Sequence, residues 1–199
     1  MAEPVIEIKF DEAKLRNIQR LLQNIPRAIP KVICRSINRT VTPVRTSMAK
    51  QLLGRVNAEL AAVKAMQKAS GRKVAKTGKG TNFRFKSSTI KQNIKFQRAT
   101  YKRWQGLIWI KSLKGQEAQA TAETAFIARM PKSGKISIFK RLGAARLPIA
   151  DQLRRLMRMY FMGFSGQIKR EAQARFERNI EDQVKLALAQ WKAKARRAG

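Results

Sequence analysis

The chain has 199 residues, 44% of them hydrophobic and 28% charged, so it is long and apolar enough to bury a core and is not a disordered tail. Its 44 Lys and Arg against 12 Asp and Glu give a formal charge of +32, which draws it to nucleic acid, an acidic protein surface or an anionic membrane. Histidine is absent and Cys34 is the one cysteine, which excludes an internal disulfide, Cys/His zinc sites and the common catalytic dyads.

The opening MAEPVIEIKF is acidic and too poor in apolar residues for a signal peptide. Residues 5–10 alternate, with Ile6, Ile8 and Phe10 on one face, and predict a strand. Asp11 is a candidate N-cap for a first helix whose face is Leu15, Ile18, Leu22 and Ile25, ending near Pro26. From 27 to 53, Ile29, Ile33, Ile37, Val41, Val44, Met48 and Leu52 recur at threes and fours, the period of a long amphipathic helix. Pro30 suits its first turn, and Pro43 is expected to kink or split it. The Ala-rich 57–69 predicts a separate, shorter helix.

Residues 60–116 hold 15 Lys or Arg and no Asp or Glu. Within them, 70–82 lacks periodicity and reads as a flexible basic loop. Strand-like runs follow at 82–85, 90–96 and 106–110, then at 123–130 and 135–141, the last pair joined as a hairpin by PKSG (131–134). RLPI (146–149) closes the strand region. A helix over 150–162 meets a break at Gly163 and Gly166. A final helix then runs to about 195 with Ile168, Ala172, Phe176, Ile180, Val184, Leu188 and Trp191 on one stripe, and 192–199 is a basic tail. This order predicts one α+β domain over 1–199, a small antiparallel sheet flanked by a long N-terminal helix and a long C-terminal helix.

Chemistry is sparse. GRKVAKTGKGT (71–81) resembles a phosphate-binding loop, but Lys73 stands where the first glycine is needed and Gly80 where the hydroxyl is needed. Glu177 and Glu181 are four apart on one helix, with Arg170, Arg178 and Lys185 nearby, the pattern of surface ion pairing. No Gly-x-Ser-x-Gly elbow is present, and Cys34 beside Ile33 reads as a buried, inert thiol. No catalytic, cofactor-binding or metal-binding residue is predicted, so the chain is not read as an enzyme.

Two surfaces are predicted instead. Arg72, Lys73, Lys76, Lys79, Arg84 and Lys86 form a polyanion contact, in a stretch where Phe83, Phe85, Phe96, Tyr101, Trp104 and Trp109 are interleaved with cations. Aromatics in alternating strands also serve a core, and no sequence-reading nucleic-acid motif is present. LMRMYFMGF (156–164) crowds apolar residues around a helix, yet carries Arg158 and falls far short of the ~20 residues a membrane span needs. Its Met157, Met159, Phe161 and Phe164 are read as core alone or as core plus a subunit interface. A soluble protein without a membrane anchor is expected.

AIPKVICRSINRT (28–40), AFIARM (125–130), IFKRLGAARLPI (138–149) and ARFERNIEDQVKLAL (174–188) resemble the minor tail protein Z family, the tail completion proteins of long-tailed bacteriophages. The resemblance spans roughly 28–53 and 123–190; 54–122 agrees only in character, and Ser36 stands where the family often has a small apolar residue. It implies a virion component that completes the head-proximal end of the tail and supports head–tail joining and DNA passage. It further implies a homo-oligomeric ring, with tail and neck proteins and genomic DNA as partners, located in the host cytoplasm during assembly. The alternative is a nonspecific nucleic-acid-binding protein of ribosomal or nucleoid type.

Overall fold

Apolar residues three and four apart from Ile33 to Val63 build one continuous helix where the sequence suggested two. The computed structural model describes residues 5–8, 12–25, 28–71, 83–110, 125–130, 136–141 and 149–198. Its elements are β1 (Val5–Ile8), α1 (Glu12–Leu22), α2 (Ala28–Ala69), α3 (Ser87–Asn93), β2 (Ile94–Gln97), β3 (Gly106–Ile110), β4 (Ala125–Arg129), β5 (Ile136–Arg141), β6 (Ile149–Asp151) and α4 (Leu153–Ala198). The fold is α+β, with long helices near both ends of the chain. Its strands sort into two sheets, β1-β3-β2 and β4-β5-β6. β1 runs antiparallel to β3 with Ile6 opposite Ile108, and β5 runs antiparallel to both β4 and β6.

Helix α2 passes through Pro43. The bond lost there is the one that would reach the carbonyl of Arg39, a residue on the exposed side, where solvent can substitute. The stripe Ile37, Val41, Val44, Met48, Leu52, Val56 and Leu60 is buried throughout, and that burial outweighs one missing bond. Helix α4 likewise carries through Gly163 and Gly166, because buried Phe161 and Ile168 are two turns apart on one face. Among the described residues, one expected strand is absent and another starts late. Residues 83–86 are irregular, and 87–93 is helix α3, with strand β2 beginning only at Ile94. Ile90 and Ile94 are both buried, and a spacing of four satisfies strand and helix periods alike. Asp11, PKSG and the first three residues of RLPI lie outside the described residues.

The chain packs as two compact units, each assembled from separated segments. One unit takes α2 from Met48, α3, β4 to β6, and α4 as far as Gly163. In it, Asn57 holds Phe85 at both backbone groups: Phe85 N–H donates to Oδ1 at 2.9 Å, and Nδ2 donates to the carbonyl at 3.2 Å. Gln67 Oε1 accepts the Ile127 N–H of β4 at 3.0 Å. Asp151 caps α4 by accepting the Leu153 N–H at 3.0 Å, and also accepts the buried Ser137 hydroxyl at 2.8 Å. Arg154 Nε donates to Asn93 Oδ1 at 2.9 Å, joining α4 to α3.

The second unit takes β1, α1, α2 as far as Ser47, most of β2 and β3, and α4 from Phe164. Ser36 and Thr40, both fully buried on α2, are satisfied by their own helix and by Asn179 of α4. Thr40 Oγ1 accepts from Asn179 Nδ2 at 2.9 Å and donates to the Ser36 carbonyl at 2.9 Å. Gly106 admits α2 to β3: a Cβ there would stand 2.6 Å from Ile37 Cγ2 and 3.0 Å from Val41 Cγ2.

Two glycine substitutions therefore carry opposite signs. Gly163 has open space around it, so Gly163→Ala is expected to raise unfolding free energy by about 0.5–1 kcal/mol through reduced chain entropy. Gly106→Ala is expected to lower it by about 1–3 kcal/mol, because both contacts are stiff β-branched side chains. Denaturant unfolding of the two variants checks both signs.

Candidate polyanion-binding surface

The period that buries Ile33, Ile37 and Val41 leaves Lys31, Arg35 and Arg39 exposed at fours on the other side of α2. Asn38, next to that ridge, grips the chain after β2: Ala99 N–H donates to its Oδ1 at 2.9 Å, and its Nδ2 donates to the Ala99 carbonyl at 3.1 Å. The grip anchors a tight turn in which Thr100 and Arg103 exchange two backbone bonds of 2.9 Å. Tyr101, 66% exposed, stands at its tip with Lys102 and Arg103, and Trp104 Nε1 donates to the Tyr101 carbonyl at 3.1 Å. The guanidinium carbons of Arg45 and Arg98 lie 4.9 and 5.7 Å from the Phe96 ring centroid, within cation–π range.

Still within this unit, α2 and the last turns of α4 enclose a groove of about 380 Å³. Lys31, Val32 and Arg35 face it from α2, and Gln183, Leu186, Trp191 and Lys194 face it from α4. An adjoining hollow shares Arg35, Gln183 and Leu186 and adds Asn38, Arg39 and Arg98. Among the described residues, no Asp or Glu lines either hollow. Gln183 is only 3% exposed, and its Nε2 has no hydrogen-bond partner. An unmatched buried donor of that kind costs on the order of 1–3 kcal/mol.

In the other unit, Lys64 Nζ donates to the Phe83 carbonyl, and burial, then the charges of Arg84 and Lys68, push its pKa below the usual lysine value. Phe83 meets Phe85 edge to face, with ring centroids 5.0 Å apart, and Phe85 is buried. Arg84 and Lys86 are exposed, as a polyanion contact requires. Arg72, Lys73, Lys76 and Lys79 lie outside the described residues.

The Met-rich stretch divides sharply. Met157 and Phe161 are fully buried on the inward stripe of α4, so they belong to this chain's own core rather than to a subunit contact. Met159 and Met162 are 54% and 64% exposed, and Phe164 is half-buried. Burial also raises the Cys34 thiol above its ordinary pKa.

Carboxylates act as structural ties. Glu171 accepts Ser47 Oγ at 2.8 Å and pairs with Arg175 at 3.0 Å, while Glu177 accepts from Gln173 Nε2 at 3.1 Å. Among the described residues, no group of three or more Cys, Asp or Glu could hold a metal ion, and no helix is long and apolar enough to cross a membrane. The ridge at 31, 35 and 39 escaped the sequence reading, although its four-residue spacing was visible beside the buried stripe. Gln183 escaped because it sits between Ile180 and Val184 in what reads as an apolar face.

Tyr160 Oη donates to Glu59 Oε2 at 2.7 Å; burial, then that bond, raise its pKa from 10.0 to about 12. The phenol's contribution to stability is therefore complete below pH 10 and lost as pH rises through about 12, since the unfolded chain ionises first. The stability difference between the native chain and Tyr160→Phe, followed by denaturant unfolding across that range, is expected to shrink as pH rises. A pH-independent difference would show that neither burial nor Glu59 raises the phenol's pKa in the folded chain. Comparison with family models, with curated proteins and with solved structures gives no match for this chain.

Proposed function

We propose that the chain is a structural virion protein of a long-tailed bacteriophage, completing the head-proximal end of the tail and supporting head–tail joining and DNA passage. The reading rests on the resemblance of its short motifs to the tail completion proteins. The observation that supports it most is the division of labour within one of those motifs. In Ile37-Asn38-Arg39, Ile37 is fully buried, Asn38 grips the backbone at Ala99, and Arg39 joins a cationic ridge. A rigid helix that displays positive charge on one side and builds core on the other suits a subunit that bridges acidic or nucleic-acid surfaces. Many weak cationic contacts repeated around a ring add through multivalency.

On this reading, other tail and neck proteins are its partners, it forms a homo-oligomeric ring in which exposed Met159 and half-buried Phe164 meet a neighbour, and it resides in the virion. It performs no catalysis and needs no cofactor. A second reading, nonspecific nucleic-acid binding of ribosomal or nucleoid type, draws on one observation: the exposed Tyr101 next to Lys102 and Arg103 in the turn, which offers a base a stacking face.

Two measurements test these readings. A phage lacking the protein is expected to make full heads and tails of near-normal length that join poorly and infect poorly, as seen by electron microscopy with infectivity counts. Normal, fully infectious virions would sink the tail-completion reading. Neutralising Arg72, Lys73, Lys76 and Lys79 is expected to leave folding intact and to flatten the salt dependence of polyanion binding. An unchanged salt slope removes that loop from contact with DNA.

A further inference from the structure

The groove between α2 and the end of α4 differs in kind from the rest of this basic surface. Its floor is apolar, with Val32, Leu186 and Trp191, while Arg35, Arg39 and Arg98 line its rim and the adjoining hollow. Arginines and lysines are donors only, and among the described residues no Asp or Glu lines the groove or the hollow beside them. Beneath them Gln183 keeps an amide N–H without an acceptor, at a position 3% exposed. The terminal torsion of a glutamine is broad, so a modest turn offers that N–H to an acceptor seated in the groove. Leu186 and Trp191, 40% and 42% exposed, are left without full cover beside it.

We propose that this groove receives an acidic amphipathic segment of a partner protein, its apolar side chains on Val32, Leu186 and Trp191 and its carboxylates on Arg35, Arg39 and Arg98. Charge complementarity selects this occupant. A second copy of the chain has 44 Lys and Arg against 12 Asp and Glu, and so offers few carboxylates to match this rim. Nucleic acid supplies anions, but its bases find one aromatic face here among aliphatic walls, whereas a helix with a carboxylate side and an apolar side matches both halves of the lining. A volume of about 380 Å³ suits a few side chains and not a duplex. The chemistry of the groove is the same whatever assembly the chain serves, so failure of the tail reading leaves it standing.

The test uses the purified full chain and fluorescence anisotropy in about 0.15 M salt. The probe is a labelled peptide of about 15 residues, with Leu at three-and-four spacing and Glu elsewhere. A shuffled peptide of the same composition and a single-stranded oligonucleotide of the same charge serve as comparators. The patterned peptide is expected to bind about tenfold tighter than the shuffled one, and Arg35→Gln or Leu186→Glu to remove about tenfold of that affinity. Both positions are exposed, so the circular dichroism spectrum stays unchanged. Lys169→Gln, elsewhere on α4, removes the same charge and is expected to leave binding intact. Gln183→Leu is expected to raise the unfolding midpoint, by removing the unmatched amide, and yet to weaken the peptide complex. Equal binding of the two peptides overturns the proposal, as does a Gln183→Leu chain that binds undiminished. Loss of oligonucleotide rather than peptide affinity on Leu186→Glu also overturns it and assigns the groove to nucleic acid.

Discussion

Side-chain amides on one helix hold backbone from other parts of this protein in place. In one unit Asn57 takes both backbone groups of Phe85 and Gln67 takes the N–H of Ile127; in the other Asn38 takes both backbone groups of Ala99. Each bond does what a neighbouring strand would otherwise do, satisfying polar backbone that packing shields from water. Among the described residues the sheets are small, three strands each. Helix α2 supplies them at fixed spacing along 42 residues, which is why its continuity past Pro43 matters.

The same helix settles where charge goes. A chain carrying +32 repels itself, and that repulsion is tolerable only if cations are spread over exposed faces and screened by solvent. The buried stripe of α2 forces Lys31, Arg35 and Arg39 outward, and the grip on Ala99 carries Arg98 to the same hollow. Cations that are forced inward show the cost: Lys64 donates to a carbonyl and still has its pKa driven down by burial and by its basic neighbours. The groove beside the ridge concentrates charge with no acid among the described residues lining it, and its unmatched Gln183 amide marks a place where stability was not maximised.

Much of the fold was legible where one period ruled. β3 alternates buried and half-buried residues along Gly106–Ile110, and α2 and α4 keep their inward stripes over many turns. Local breakers misled the reading at Pro43, Gly163 and Gly166, because burial spread along a whole helix face outweighs a cost confined to one residue. Ile90 and Ile94 misled it for a different reason, since their spacing cannot tell a strand from a helix. Met157 and Phe161 looked like half of a ring of apolar residues, when they are the continuation of the stripe that runs through Ile168 and Phe176. Arg84 and Lys86 are exposed as expected, but the groove was invisible, because it needs two helices more than a hundred residues apart in sequence to meet.

The central claim is that amides on α2 substitute for strand pairing in holding the basic segment. Hydrogen exchange at the Ala99 and Phe85 amides tests it most directly, compared between the native chain and the variants Asn38→Leu and Asn57→Leu. Asn38→Leu is expected to abolish protection at Ala99 and leave Phe85 protected, and Asn57→Leu to do the reverse, because each amide N–H has its acceptor on one side chain. Protection at both amides that survives both substitutions would contradict the claim and require another acceptor for those backbone groups.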